Sequence, residues 1–509
     1  MANQNLKKYV TDLIDDDYKS WKPGDSIILQ SGTGTGKSTF CIKTLCRWAK
    51  KHDDKVLYVC NRTKLEGSIG AYFEQMVKNT PELAEAITVT KYQNLEKNFG
   101  KMQSMFKEYK YIFLDECHYF ISDATMNQYT ERLFDYIMED RDNVLIFASA
   151  TAEALFSHII KRKEIDESHI YNIATDYSFV DNVFIYDKDD LITILNGIIR
   201  KDAISKIAVF CSNGDRIMEI YDAFGPSLVD VYCSKSLNDK RVTEIRNNNA
   251  IKNCKFKKRI LIATSVVDNG IDLKDVNLRH IFTEMVTIDS LIQTLGRKRP
   301  VNDEDYCTYY IRERKAGEIV KFVRGCNKQL ALVDLWKEKG INYFSEYGED
   351  RDAFKKNNIL WYDALSDDFK INSMAHVKYT MDKNLYDEMI ADGFVEVLTR
   401  RFPDQLTQKI RPIDICEYND PFLDRLKSFE GIRFYKDDFN SVVKELFKQE
   451  MDRFGIKSHR FGRETLNSFL DETYGELYKK RFVSHQDWSR KLDNGEDNPH
   501  RGSSYNVLE

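Results

Sequence analysis

Residues 31–38 form a glycine-rich segment with the sequence Ser-Gly-Thr-Gly-Thr-Gly-Lys-Ser, between an apolar run at 26–29 and a helix-like stretch at 39–51. Alternating glycines let successive backbone N–H groups point at phosphate oxygens, and the following helix offers its positive N-terminal end. In this pattern Lys37 reaches the β and γ phosphates and Ser38 places its hydroxyl on Mg²⁺. The residues predicted to bind the nucleotide phosphates are Gly32, Thr33, Gly34, Thr35, Gly36, Lys37, Ser38 and Thr39.

Two adjacent carboxylates, Asp115 and Glu116, follow another apolar run at residues 111–114. Adjacent residues at a strand end point in different directions, so the two carboxylates can do different work. We predict that Asp115 holds the Mg²⁺ shell together with Ser38, while Glu116 accepts a proton from the water that attacks the γ-phosphate. An acidic turn that only caps a strand is the alternative, and the phosphate loop upstream makes it the weaker one.

The order of these segments resembles that of a known family. Residues 115–118, D-E-C-H, resemble the second motif of superfamily 2 nucleic-acid helicases and translocases, and residues 149–151, S-A-T, resemble their third. The resemblance implies that ATP is the nucleotide. It also implies that His118, Ser149 and Thr151 couple the nucleotide site to a nucleic-acid groove.

Two later segments resemble the fifth and sixth motifs of this family. Residues 268–273, D-N-G-I-D-L, place Gly270 and Asp272 where the family contacts the nucleotide. Residues 293–299, Q-T-L-G-R-K-R, resemble Q-x-x-G-R-x-x-R, with Pro300 in the place of the last arginine. The residues that the resemblance implies as nucleic-acid backbone contacts are Asn61, Arg62, Thr90, Ser212 and Thr264.

The sixth motif also suggests which groups act on the γ-phosphate from a part of the chain far from the glycine-rich segment. A guanidinium close to that phosphate stabilises the charge that develops during hydrolysis. Gln293 and Arg297 match the motif outright, and Arg299 lies one residue before the expected second arginine. We assign Gln293, Arg297 and Arg299 to catalysis beside Glu116, and rank Arg297 ahead of Arg299 as the arginine finger. A basic surface that only contacts phosphates is the alternative.

Short apolar runs alternate with helical patterns along the first part of the chain, which predicts two RecA-like lobes, each a doubly wound parallel α/β sheet. We expect lobe 1 in residues 1–178 and lobe 2 in residues 179–315. Helical apolar spacing in residues 316–483 predicts a mainly α-helical accessory domain. Within it residues 437–483 loosely resemble a winged helix, with an ordinary helical domain slightly favoured. Residues 484–509 are polar, which predicts a loosely ordered tail.

The composition of the chain limits which binding partners and which cellular compartment we expect. The 509 residues carry a formal net charge of -5, which argues against a protein that is basic all over, such as a passive nucleic-acid coat. The 10 cysteines form no C-x-x-C, so no zinc site is indicated, and no run of about 18 apolar residues suggests a membrane span. We expect a cytoplasmic protein, and the high Lys, Asn, Asp and Ile content is typical of AT-rich bacterial or phage genomes.

The favoured function is an ATP-dependent helicase or translocase, with DNA favoured over RNA because no glutamine motif of the D-E-A-D type precedes the phosphate loop. The alternative is a nucleic-acid-stimulated ATPase that remodels protein–nucleic acid complexes without separating strands. A P-loop enzyme unrelated to nucleic acid would leave residues 293–299 unexplained. Tyr18 and Trp21 are candidates either to stack on adenine or to pack in the core, and the C-terminal domain is the expected place for a protein partner.

Overall fold

The computed structural model describes residues 9–32, 34–61, 81–233, 239–264, 272–340, 357, 359–363, 368–453, 456, 461–474, 478–492 and 494–509. Lobe 1 is a sheet of six parallel strands flanked by helices. The strands are β1 (Ser26–Ser31), β2 (Val56–Cys60), β3 (Ile87–Lys91), β4 (Tyr111–Asp115), β5 (Val144–Ser149) and β6 (Ile170–Ile173). The helices are α1 (Val10–Ile14), α2 (Lys37–Thr39), α3 (Cys46–Lys51), α4 (Tyr92–Lys97), α5 (Met102–Phe106), α6 (Tyr119–Ser122), α7 (Tyr129–Glu139) and α8 (Glu153–Lys163), with a π-helical segment, Phe40–Leu45, between α2 and α3.

The strand order in lobe 1 is β3-β2-β4-β5-β1-β6. Strands β2, β4 and β5 are buried along their whole length, because helices cover both faces of the sheet. β1 and β4 both lie beside β5, so the glycine-rich loop after β1 and the acidic pair after β4 leave the same carboxyl edge two strands apart. Ligands of such sheets gather at this edge.

Lobe 2 repeats the architecture with a sheet of seven parallel strands. Its strands are β7 (Val180–Tyr186), β8 (Lys206–Phe210), β9 (Val229–Tyr232), β12 (Ile260–Ala263), β13 (Leu278–Thr283), β14 (Cys307–Arg312) and β17 (Ile410–Pro412), in the order β17-β7-β14-β13-β8-β12-β9; a small antiparallel hairpin joins β10 (Ile251–Lys252) to β11 (Lys255–Phe256). Its helices are α9 (Leu191–Lys201), α10 (Gly214–Leu228), α11 (Lys240–Ile245) and α12 (Ile288–Leu295). The two sheets confirm the predicted fold class.

After β14 the chain forms a structure that we call the strap. It consists of the long helix α13 (Ala316–Lys339), an antiparallel hairpin of β15 (Leu360–Asp363) and β16 (Asp368–Ile371), and the returning helix α14 (Ser373–Asp392). Cys326 on α13 and Tyr386 on α14 are buried in the core of lobe 2, whereas Val333 on α13 and Met374 on α14 are buried in the core of lobe 1. Each strap helix therefore packs into both lobes.

Two short helices, α15 (Phe394–Arg401) and α16 (Asp404–Thr407), lead from the strap to β17, which pairs in parallel with β7 at the edge of the lobe 2 sheet. The C-terminal region therefore adds a strand to lobe 2 besides its helices. The strand was not evident in the sequence because Ile410–Pro412 is only 3 residues long and ends in proline.

The last part of the chain has a core of its own, which we call the C-terminal module. Its elements are α17 (Pro421–Lys427), β18 (Phe434–Tyr435), α18 (Lys436–Asp438), a π-helical segment (Phe439–Val443), α19 (Lys444–Arg453), α20 (Arg463–Tyr474), β19 (Phe482–Gln486) and β20 (Ser504–Leu508). The three strands form an antiparallel sheet in the order β18-β20-β19, and apolar residues of the strands and of the helices share one core.

The module differs from the expectation at both of its ends. It begins with α17 rather than near residue 437, and residues 484–509 do not form a tail, because β20 pairs with both β18 and β19. Val507 and Leu508 are buried, and two apolar residues at the end of a polar stretch were too weak a signal to predict a strand. Arg200 of lobe 2 forms ion pairs with Asp420 and Glu450 of the module. Among the residues described above, no helix is both long enough and apolar enough to cross a membrane.

The buried carboxylate of Glu131 on α7 fixes the strap to lobe 1, since it accepts hydrogen bonds from the Ser373 hydroxyl and, at 3.1 Å, from the Met374 amide. Replacing Glu131 with Ala leaves these donors without their acceptor, at a cost of about 1–3 kcal/mol. We therefore expect amide exchange in the first turn of α14 to accelerate about 5–100-fold, measured by hydrogen exchange and mass spectrometry. Glu139→Ala, an exposed site on the same helix, is the control, and equal exchange in both variants would contradict this anchoring.

Candidate functional site between the two lobes

The glycine-rich loop joins β1 to α2 in a conformation that needs its glycines. Gly34 and Gly36 have φ angles of 89° and 90°, which residues with a side chain rarely adopt. A Cβ atom on Gly32 would overlap the side chain of Thr175. Thr35 closes the loop by donating its hydroxyl hydrogen to the Gly32 carbonyl at 2.8 Å. This cradle of backbone fits the phosphates that the sequence predicts; Thr33 lies outside the described residues.

Lys37 is the first residue of α2 and only 6% of its surface is exposed. Its ammonium group donates hydrogen bonds to the carbonyls of Ser31 at 2.7 Å and Gly32 at 3.0 Å. The charge is therefore held inside the loop, at the position from which a lysine neutralises phosphate oxygens. Thr39, two residues later, ends α2.

Ser38 and Asp115 lie on different elements, and a tyrosine joins them. The Tyr58 hydroxyl on β2 contacts the Ser38 hydroxyl at 2.9 Å and donates a hydrogen bond to Oδ2 of Asp115. A hydroxyl and a carboxylate are oxygen ligands of the kind that Mg²⁺ prefers, so the donors present fit that ion. Sequence reasoning missed Tyr58, and its only signal was a hydroxyl-bearing residue within a strand otherwise made of aliphatic residues and cysteine.

Glu116 follows β4 with a φ angle of 52°, in the left-handed region. A residue with a side chain adopts this conformation at a cost, and such strain concentrates at functional sites. The turn directs the Glu116 carboxylate to His118, whose Nδ1 lies 3.3 Å from Oε2. The Asp115 carboxylate thus contacts Tyr58, and the Glu116 carboxylate contacts His118.

A series of polar contacts leads from Glu116 across the cleft. Nδ1 of His118 lies 3.0 Å from the Ser149 hydroxyl, and that hydroxyl accepts a hydrogen bond from the Thr151 amide at 3.3 Å. The Thr151 hydroxyl in turn accepts a hydrogen bond of 2.9 Å from Nε2 of Gln293 on α12 of lobe 2. We call this series the cleft network. It brings together residues predicted for coupling in lobe 1 and for catalysis in lobe 2.

The two arginines of the sixth motif differ in their surroundings. Arg299 forms an ion pair with Asp272, at 3.0 Å from Nε and 2.9 Å from Nη2, and its Nη1 lies 3.9 Å from where a Cβ would stand on Gly34 of the phosphate loop. Arg297 is only 7% exposed. The residue between them, Lys298, is turned into lobe 2, where it donates to Asp305 at 2.5 Å. Gly270 lies outside the described residues.

The predicted nucleic-acid contacts follow strands at the carboxyl edges of both sheets. In lobe 1 Asn61 follows β2, where its buried side chain accepts a hydrogen bond from Gln93 at 3.1 Å, and half-buried Thr90 lies in the neighbouring strand β3. In lobe 2 exposed Ser212 and buried Thr264 follow the adjacent strands β8 and β12. Arg62 lies outside the described residues.

The aromatic residues near the loop divide into core and surface. Tyr18 and Trp21 are buried against Phe40, so both residues pack in the core, which was one of the two alternatives considered for them. Tyr9, in contrast, is 49% exposed and lies beside Gly36, and the next residue donates its amide hydrogen to the Thr35 carbonyl at 3.0 Å. Tyr9 was not predicted from the sequence, because nothing in its spacing connects it to the loop.

Comparison with known proteins gives matches in both lobes. Residues 3–154 match the family model described as the res subunit of type III restriction enzymes. Residues 203–299 match that of the C-terminal region of the CRISPR-associated nuclease/helicase Cas3. A rice protein (Oryza sativa subsp. japonica) described as DEAD-box ATP-dependent RNA helicase 56 is 22% identical over 307 residues, which is 54% of this chain and 68% of the relative.

Two solved structures are also similar to parts of the chain. The structure of S. cerevisiae Dbp5 bound to RNA and ADP BeF3 is 13% identical with a TM-score of 0.42, covering 64% of this chain and 86% of that one. The structure of the DEAD-box helicase Mss116 bound to ssRNA and UDP-BeF is 15% identical with a TM-score of 0.44, covering 64% and 72%. The two family models and the curated relative agree with the order of the motifs in the sequence, and they support a superfamily 2 helicase that hydrolyses ATP.

Proposed function

We propose that this protein is a motor that couples ATP hydrolysis between its two lobes to movement along DNA or to unwinding of DNA. The observation that chiefly supports the proposal is the cleft network, from Glu116 in lobe 1 to Gln293 in lobe 2. Because the network crosses the cleft, a change in the distance between the lobes changes the surroundings of the Glu116 carboxylate. Hydrolysis and lobe movement are then linked, as a motor requires.

For the chemical step we propose separate roles for the groups around the loop. Glu116 accepts the proton of the attacking water, and its neighbour His118 orients it. Lys37 and the backbone of residues 32–36 bind the phosphates, and Tyr9 stacks on the adenine. Ser38 and Asp115 hold Mg²⁺, which when bound neutralises phosphate charge.

For the second lobe we propose Arg299, rather than Arg297, as the arginine that reaches the γ-phosphate, which reverses the order expected from the motif. Arg299 lies beside the phosphate loop, and its partner Asp272 holds the guanidinium in position. Arg297 is largely buried, with 7% of its surface exposed. A guanidinium at the edge of the cleft adds charge stabilisation to the hydrolysis step only when the lobes are close together.

For the nucleic-acid track we favour DNA and take Asn61, Arg62, Thr90, Ser212 and Thr264 as its backbone contacts. Polar side chains at strand ends suit phosphate contacts, which fix register without reading sequence. The rice relative is described as an RNA helicase, so RNA is the other track to test. We further propose lobe boundaries at residues 1–178 and 179–315, and the C-terminal module as the place where a protein partner would bind.

The first prediction from the proposed function concerns the general base. Glu116→Gln keeps the shape of the side chain and removes its ability to accept a proton, so the ATPase kcat is expected to fall about 10²–10⁴-fold while nucleotide affinity is retained. The measurement is the steady-state ATPase rate alone and with single-stranded or duplex DNA or RNA. Glu108→Gln, an exposed site, is the control.

Stimulation by one polymer that is lost in Glu116→Gln would support the motor and identify its track. A wild-type rate that no polymer changes would contradict the proposed function. A fluorescent duplex assay then separates two outcomes: strand separation supports unwinding, whereas stimulation by duplex without separation supports the remodelling alternative.

The second prediction separates the two arginines. Arg299→Ala is expected to lower kcat by about 10³-fold, with ADP affinity nearly unchanged, because a finger acts mainly in the transition state. Single-turnover hydrolysis and ADP binding are the measurements, and Arg324→Ala on the exposed surface of the strap is the control. If Arg297→Ala lowers kcat and Arg299→Ala does not, Arg297 is the finger.

The third prediction concerns the contact between the lobes. Thr151→Val removes the hydroxyl that accepts from Gln293 at nearly constant volume, and Gln293→Leu removes the donor. We expect either change to lower the polymer-stimulated ATPase rate about 5–10-fold, corresponding to one hydrogen bond of about 1 kcal/mol. The double variant should be no slower than the singles. Fully additive losses would show that the two side chains act independently.

A further inference from the structure

Tyr58 is buried in the centre of lobe 1, yet its hydroxyl reaches the edge of the sheet. Its ring stacks on Phe113 with 5.4 Å between the ring centroids, and only 1% of the residue is exposed. The hydroxyl contacts both Ser38 of α2 and Asp115 of β4, which are 77 positions apart in the sequence. A third oxygen therefore lies between the two residues proposed to hold Mg²⁺.

The chemistry of these three groups fixes the direction of both hydrogen bonds. The Asp115 carboxylate only accepts, so the Tyr58 hydroxyl donates its single hydrogen to Oδ2. Tyr58 has no second hydrogen to give, so Ser38 must be the donor in the contact of 2.9 Å.

With its hydrogen directed at Tyr58, the Ser38 oxygen has its lone pairs turned away from that contact. A metal ion binds to lone pairs, and a hydroxyl whose hydrogen is already donated elsewhere does not have to rotate before it binds. The same contact restrains the Asp115 carboxylate through one oxygen. Both side chains are therefore held in fixed orientations before any ion arrives.

We propose that Tyr58 is a positioning residue for the divalent cation of the nucleotide site, acting through its hydroxyl on Ser38 and Asp115. The inference rests on the proposed function, since it concerns the same site. The alternative is that the buried phenol merely uses these groups to satisfy its own hydrogen-bonding capacity. The two explanations differ in what happens to metal affinity when the hydroxyl is removed.

The test uses the full chain and the variant Tyr58→Phe, which keeps the stacked ring and removes the hydroxyl. Mn²⁺ affinity in the presence of ADP is measured by electron paramagnetic resonance, and ADP affinity in EDTA by a fluorescent ADP analogue. We expect Mn²⁺ to bind about tenfold more weakly, the lower end of the effect of removing a group that orients metal ligands, and metal-free ADP affinity to change less than about twofold. Tyr111→Phe is the control, since Tyr111 is buried in the same core at the other end of β4.

A Ser38→Ala background tests whether Tyr58 acts through the serine. There the Ser38 lone pairs are already lost, so adding Tyr58→Phe should lower Mn²⁺ affinity less than in the native background. Equal Mn²⁺ affinity of the wild type and Tyr58→Phe would overturn the inference, as would an equal loss in Tyr111→Phe or a full additional loss in the Ser38→Ala background. If the wild type binds no ADP at all, the proposed function fails and the inference fails with it.

Discussion

The burial of both strap helices in both lobes is the constraint on which the cleft depends. Val333 and Met374 lie in the core of lobe 1, while Cys326 and Tyr386 lie in the core of lobe 2, on the same two helices. A helix is stiff over this length, and a packed core allows discrete rearrangements rather than gradual sliding. Relative motion of the lobes therefore has to bend or repack the strap. Unlike a free linker, it limits the set of cleft geometries, and this preserves the contact between Thr151 and Gln293.

The chemistry proposed for lobe 1 depends on the orientation of Glu116, whose backbone is held in place on both sides. Glu116 keeps its left-handed φ because both of its neighbours are fixed: Tyr92 donates to the Asp115 carbonyl at 3.1 Å, and the Cys117 amide donates to the Ala148 carbonyl at 3.0 Å. The strained residue thus lies between two residues that are held from outside, one by Tyr92 of α4 and the other by Ala148 of β5. The buried sheet of lobe 1 is what maintains the orientation of the carboxylate.

The sequence predicted the features that local spacing encodes. The glycine loop, the acidic pair and the alternation of strands and helices each occupy a few consecutive residues, and the fold class followed from them. Contacts between distant residues carry no such signal. Tyr58 meets Ser38 and Asp115 only because β2 lies beside β4 in the sheet, and β17 joins lobe 2 only because the strap returns the chain to its edge. Likewise β20 became a strand because two partners were in place, not because of its own composition.

Residue 300 is proline where the sixth motif has arginine. The backbone pairing between the fifth and the sixth motif gives a physical reason for this difference. The Leu273 amide donates to the Arg297 carbonyl at 2.7 Å, and the Arg299 amide donates to the Leu273 carbonyl at 3.0 Å, so Lys298 forms a bridge with Leu273 directly after the turn that ends α12. Lys298 is turned into the lobe, whereas the side chain of Arg299 faces Asp272 and the phosphate loop. Pro300, the next residue, has no amide hydrogen with which to continue the pairing. In this register, an arginine reaches the cleft from position 299, where a shift of one residue preserves the guanidinium.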